Sequence, residues 1–142
     1  NLGQDGINAK LSEYHCAVGL TLLDIIDEVL EHRSEIWLQY KKNLESFFEL
    51  PRWDKDASIN GSYFPIILPN IAIKKKIKKF LEEKGIPTRE YFSPSLNEVY
   101  KKEEICPIAE SISSRVLCLP LHYYICKEDV QFISENLKKS IL

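Results

Sequence analysis

Residues 6–27, GINAKLSEYHCAVGLTLLDIID, pass from a loop into a helix that has no broad wet face. Ser12 is placed to cap that helix, and Glu13 puts a negative charge in its first turn, where the helix dipole favours it. Val18, Leu22, Ile25 and Val29 follow the spacing of one helical face, and Leu23, Ile26 and Leu30 make a second face beside it. A helix apolar on two faces is expected to be buried on two sides. Gly19 costs about 1 kcal/mol relative to alanine inside a helix, so with Ala17 it implies close approach of a second backbone. That backbone would belong to another domain or another subunit.

Working outward, Glu31, His32 and Arg33 are polar and predict a bend. A second long helix then carries Trp37, Tyr40, Leu44 and Phe47 on one face and is ended by Pro51. Residues 52–61 are a loop by composition. SYFPIIL, residues 62–68, reads as a strand, and Pro65 assigns it an edge position or a bulge because proline cannot donate to a ladder. A helix follows over 71–84, with Ile73, Ile77, Phe80 and Leu81 inward, five lysines on a solvated face and Gly85 at the stop. IPTREYF, residues 86–92, predicts a second strand, and SPSLNEVY after it a loop. Pro107 opens a short helix through Ile112, RVLCL at 115–119 is a third strand, and the last helix starts near Lys127 with Val130, Ile133, Leu137 and Ile141 inward. The order predicts one α/β domain over 1–142, with long helices in 1–50 and a small α/β sandwich in 51–142.

A chain of 142 residues, 44% hydrophobic and 28% charged with a net charge of −2, has an ordinary globular composition. Nothing in it demands nucleic acid, and no apolar run reaches the roughly 18 residues needed to span a bilayer. The 4 cysteines, Cys16, Cys106, Cys118 and Cys126, form no CxxC pair and read as reduced core residues of a cytoplasmic protein, a disulfide pair being the alternative. Methionine is absent and the sequence opens within a loop, so the chain reads as a piece of a longer polypeptide, trimming of an initiator being the alternative.

The familiar catalytic constellations are missing. His15, His32 and His122 lie far apart with no metal-ligand spacing, the glycines form no phosphate loop, and there is no GxSxG elbow. His15 reads as a core or interface residue, whereas His122 sits in a proline-bounded loop after a strand, where function is commoner. Two loops remain. Asn8 and Lys10 precede the first helix and can reach an anion near its N-terminus, unless Asn8 simply turns the loop. Arg89, Tyr91, Ser95, Asn97 and Tyr100 can stack on and hydrogen-bond a sugar or base, unless they are only surface.

Three blocks go further. GINAKLSEYHCAVGLTLLD resembles the GxNxRMSExxAAxGLxxLD block of DegT/StrS-type sugar aminotransferases, GIPTREYFSPSLN resembles their GI-x-TR-x-YY-x-P-x-H segment, and CPIAESISSRVLCLPLH resembles their CP-x-AE…VL-x-LPLH segment. These are pyridoxal-phosphate enzymes that aminate keto groups on nucleotide-linked deoxysugars. The resemblance implies the small C-terminal domain of a fold-type I, aspartate-aminotransferase-like enzyme, in which two long helices precede a small, mainly antiparallel sheet packed with helices. It implies a longer homodimeric enzyme that uses glutamate as amino donor in the cytoplasm, for surface polysaccharide or antigen sugars. The Schiff-base lysine would lie elsewhere, and no residue of this sequence is assigned as catalytic.

By the same resemblance, Asn8 would reach the cofactor phosphate of the partner subunit, a charge-assisted bond worth roughly 1.5 to 3 kcal/mol. Lys10 stands where many members have arginine; it keeps the charge and loses the bidentate fork. Arg89, Tyr91, Ser95 and Asn97 fall in the substrate segment, and Asn97 replaces the usual histidine, as in members that make 3-amino or 4-amino sugars linked to deoxythymidine diphosphate. Asparagine hydrogen-bonds a hydroxyl but does not titrate near neutral pH, so it would tune substrate choice. Two other readings stand beside this one. Relatives whose Schiff-base lysine is replaced act as dehydratases or sensors, and a chain with an exposed apolar helix can be an interaction module without catalysis.

Overall fold

The computed structural model describes residues 10–54, 56–100 and 105–141. Ser12 adopts an extended conformation and its Oγ accepts from the His15 N–H at 3.4 Å, so α1 (Glu13–Leu23) starts where the capping chemistry puts it. None of its residues is buried: Val18 and Leu22 are 45% and 56% exposed, and Ile25 just beyond is 46% exposed. The described residues therefore do not supply the two-sided burial expected of this helix. Gly19 has open space where a Cβ would stand, so the close approach expected there is also absent among them. His15 lies in the open as well, its ring Nδ1 hydrogen-bonded to the Ser12 hydroxyl at 2.7 Å.

The chain bends at Asp24 and Ile25, not at residues 31–33 as expected. Ile25 leaves helical geometry (φ −120°, ψ 8°), and Asp27 and Glu28 then occupy the first turn of α2 (Ile26–Leu44), where negative charge is favoured. The polar triplet stays helical because it has distant neighbours. His32 Nε2 donates to the Ile125 carbonyl at 3.0 Å, and Arg33 lies against Gly61. Gly61 has φ +60°, and a Cβ there would stand 2.5 Å from Arg33 Cβ, so this crossing requires glycine. α2 ends at Leu44, short of Pro51, and the following turn brings the Glu49 carbonyl to the Ile67 N–H at 2.8 Å.

Strand β1 (Phe64–Ile67) pairs antiparallel with β2 (Val116–Leu119), Phe64 facing Leu119 and Ile67 facing Val116. The N–H and carbonyl of Cys118 are both taken by Arg89, so Pro65, which faces Cys118, sits at a non-hydrogen-bonded rung where its missing donor costs nothing. The strand expected over 86–92 shrinks to that single Arg89–Cys118 bridge. The next bonded rung in this register would set Pro87 against Pro120, and neither can donate.

α3 (Ile71–Glu83) is capped by Asn70, whose Oδ1 accepts from Ile73 N–H at 2.9 Å. It closes through Gly85 at φ +73°, with Ile86 N–H returning to the Leu81 carbonyl. α4 (Leu96–Val99) arises in the segment expected to be loop. α5 (Pro107–Arg115) runs directly into β2, and α6 (Lys127–Lys139) packs against α2 and α3. The strands' alternation sorts their side chains. Phe64, Ile66, Leu117 and Leu119 join one core with Ile36, Trp37, Tyr40 and Leu44 of α2, Ile77 and Leu81 of α3, and Val130, Ile133 and Leu137 of α6. Tyr40 stacks on Phe64 and donates its hydroxyl to the Pro120 carbonyl at 2.9 Å; burial, then the charge of Asp129, pushes its pKa far up. Among the cysteines only Cys118 is buried; Cys16, Cys106 and Cys126 are exposed, which corrects the core assignment, and all 4 are free thiols.

Candidate functional site

Pro65, Ile67, Val116 and Cys118 point to the sheet face that the core does not use, and two clefts open along it. The first, about 280 Å³, is lined by Tyr63, Arg89, Tyr91, Cys118, Pro120 and His122 among others. Its floor is fixed by backbone: Arg89 N–H donates to Cys118 O at 3.0 Å and Cys118 N–H to Arg89 O at 2.7 Å. The same alternation sends Glu90 to the opposite side, onto α3, where it meets Lys78 at 3.0 Å and Lys74 at 3.5 Å. Lys74 is 4% exposed, so it does not belong to the solvated lysine face expected for α3. The hydrogen bond from Lys78 holds the Glu90 carboxyl below its ordinary range, partial burial opposing it and Lys74 assisting. Arg89 and Tyr91 are thus held toward the cleft from behind.

Tyr63 meets Tyr91 edge-to-face at 5.0 Å, and Tyr91 stacks on Phe92 at 4.8 Å. Burial pushes the Cys118 thiol up, so it stays protonated at neutral pH and serves the wall and not as a nucleophile. With a guanidinium, an imidazole and two phenol rings, this cleft suits an anion joined to a planar or sugar ring.

The second cleft, about 590 Å³, lies across Tyr91 and is more apolar, lined by Phe92, Leu96, Ala109, Ile112 and Val116 together with Ser95 and Asn97. α4 carries its polar groups. Ser95 donates both its N–H and its hydroxyl to Glu98 Oε2, and these bonds hold the Glu98 carboxyl below its ordinary range. Ser95 is buried, so its donors are already committed. Asn97 Nδ2 donates to Glu110 Oε1 on α5, and the same oxygen accepts from Cys106 N–H at 3.2 Å.

Of the residues singled out in the sequence, Arg89 and Tyr91 meet in the first cleft and Tyr91, Ser95 and Asn97 in the second, Tyr91 forming the partition. His122 joins Arg89. Lys10 is exposed ahead of the α1 cap and lines neither cleft, and Asn8 lies outside the described residues. Tyr63, Glu90, Glu98 and Glu110 were not anticipated. The spacing Ser95-x-x-Glu98 is a capping-box signature that the sequence displays openly. Glu110 and Glu90 find partners only through the fold. A further cavity of about 550 Å³ under Phe47, Ile67 and Ile141 has only Glu49, Lys76 and Ser140 as its polar lining side chains and gathers no comparable set. Among the described residues no group of three or more His, Cys, Asp or Glu is placed to hold a metal, and no helix is long and apolar enough to cross a membrane.

The sequence pattern of the DegT/DnrJ/EryC1/StrS aminotransferase family matches residues 3–138. A dTDP-4-amino-4,6-dideoxy-D-glucose transaminase of Shigella dysenteriae is 27% identical, the match covering 98% of this chain and 40% of that protein. The GDP-perosamine synthase of Escherichia coli O157:H7 is also 27% identical over 94% of this chain and 37% of its own length. A DegT DnrJ EryC1 StrS aminotransferase from Brucella abortus superposes with a TM-score of 0.80 at 27% identity, covering 94% of this chain and 37% of that one. The chain therefore spans about two fifths of the length of the curated relatives it matches.

Proposed function

The chain belongs to the DegT/DnrJ/EryC1/StrS aminotransferase family, and from that premise we propose that it is the small C-terminal domain of a nucleotide-sugar aminotransferase. The observation that carries this is the family match over residues 3–138, with relatives named as transaminases or synthases of dTDP- and GDP-linked amino sugars. In this reading the full-length protein works in the cytoplasm as a homodimer and transfers an amino group from glutamate to a nucleotide-linked keto-deoxysugar. The dTDP-linked sugar is favoured because Asn97 stands in place of the family's histidine. The product would enter surface polysaccharide.

The family is pyridoxal-phosphate dependent, and the bound cofactor supplies the electron sink that makes amino transfer possible. This chain's part is to bind and orient. Lys10 is an exposed cation two residues ahead of the α1 cap, which fits a phosphate; together with Asn8 it would hold the cofactor phosphate of the partner subunit. Arg89 would pair with an anionic group of the nucleotide, Tyr91 would stack beside it, and Ser95 and Asn97 would face the sugar. α1, uncovered here, would pack on the larger domain and near the dimer seam.

The test is direct. Full-length protein loaded with pyridoxal phosphate is given glutamate and a panel of dTDP-, GDP- and UDP-linked keto-6-deoxyhexoses. Equal amounts of 2-oxoglutarate and amino sugar are expected, fastest with the dTDP-linked substrate. Absence of 2-oxoglutarate with every member of the panel would overturn the reading.

A further inference from the structure

The carboxylate of Glu110 ties two pieces of the second cleft together. It sits near the N-terminus of α5, where one of its oxygens accepts from Cys106 N–H at 3.2 Å and from Asn97 Nδ2. Chemistry fixes the orientation of that amide. An ionised carboxylate only accepts hydrogen bonds, so the NH2 group of Asn97 must face it, and the flipped amide would set two acceptor oxygens against each other. The carbonyl Oδ1 is thereby turned away from Glu110. Glu98, next in the chain after Asn97, adds a second carboxylate, already engaged by Ser95.

Asn97 lines a cavity whose other walls are largely apolar. What it offers an occupant is therefore an oriented carbonyl acceptor and one remaining N–H, in the negative field of two carboxylates. A phosphate brought there would meet repulsion, whereas a hydroxyl or an ammonium group would find its complement. The cation for a phosphate stands on the other side of Tyr91, at Arg89.

We propose that Glu110 is a positioning residue: it fixes the side-chain amide of Asn97 so that the apolar cleft receives the hydroxyl- or amine-bearing sugar ring and excludes the phosphates. This rests on the nucleotide-sugar aminotransferase reading and adds the polarity of the sugar contact to it. The pair can be broken from either end and rebuilt in reverse. Asn97→Asp removes the donor, Glu110→Gln removes the charge and permits the flip, and the two together let the glutamine amide donate to the aspartate.

In the full-length enzyme each single variant is expected to raise KM for the nucleotide sugar about tenfold with kcat within about twofold, the signature of lost binding and not of lost chemistry. The double variant rebuilds the bridge with a carboxylate in place of the sugar-facing amide, so its KM is expected to lie no higher than that of Asn97→Asp alone. KM losses that multiply in the double variant would overturn the proposal. The same four proteins are also compared by thermal unfolding, which needs no substrate. A midpoint lost in each single and regained in the double supports the Asn97–Glu110 bond, and additive losses refute it. If the parent protein forms no amino sugar from any substrate, the functional reading fails, and the unfolding cycle still decides the positioning role.

Discussion

α1 and α6 are helices of 11 and 13 residues, both rich in branched aliphatic side chains, and they end up in opposite environments. α6 puts Val130, Ile133 and Leu137 on one stripe and Gln131, Glu135 and Lys139 on the other, and the stripe is buried. α1 carries Val18, Leu20, Leu22 and Leu23 round its circumference and buries none of them. A helix with one apolar stripe is completed by one core; a helix apolar all round needs cover on more than one side. The body from α2 to α6 is thus closed on itself, while α1 stays uncovered among the described residues.

Truncations at matched positions put the sharpest strain on that contrast. In the 142-residue chain, Leu137→Ala in α6 is expected to cost about 2–5 kcal/mol because it opens a cavity in a closed core. Leu22→Ala in α1, already 56% exposed, is expected to cost less than about 0.5 kcal/mol. Urea unfolding midpoints compare the two, and equal costs would break the distinction. Next in size comes Gly61→Ala, where positive φ and the approach to Arg33 together are worth about 1–3 kcal/mol. A neutral Gly61→Ala would mean that the loop yields and that α2 is not clamped there.

Tyr40→Phe removes the hydroxyl bond to the Pro120 carbonyl and is expected to lower stability by about 1 kcal/mol, read by the same denaturant series. A pH-dependent effect belongs to the ion cluster behind Arg89. Glu90 titrates below its ordinary value of 4.5 in the folded chain, so its pairing with Lys78 and Lys74 stabilises above pH 4.5 and is lost as pH falls through the lowered value. Partial exposure keeps the contribution to under about 1 kcal/mol. The stability gap between the parent and Glu90→Gln, measured from pH 7 down to 3, should close as the solution is acidified; a gap that widens would remove the pair from the account.

Much of this arrangement was legible in the residues. Ser12 and Gly85 marked helix boundaries by their capping chemistry, β1 and β2 showed in aromatic and β-branched runs, and three sequence blocks pointed to the family. What escaped depended on partners far along the chain. The triplet Glu31-His32-Arg33 reads as a bend until Ile125 and Gly61 arrive beside it. IPTREYF reads as a strand until Pro87 meets Pro120 in register. Lys74 reads as solvated until Glu90 lies over α3. In the site, residues 89–100 were visible as a chemically mixed loop, but the division by Tyr91 into a cationic cleft and an apolar one was not. That division comes from the alternation of side chains at Arg89 and the separate anchoring of α4 on α5.

The claim beneath all of this is that α1 is completed by protein beyond the closed body, and amide hydrogen exchange tests it most directly. Exchange is followed in α1 and α6 in the 142-residue chain and in the full-length protein. The expected result is strong protection of α6 in both and protection of α1 only in the full-length protein. Equal protection of α1 in the two samples, or its absence from both, would contradict the account.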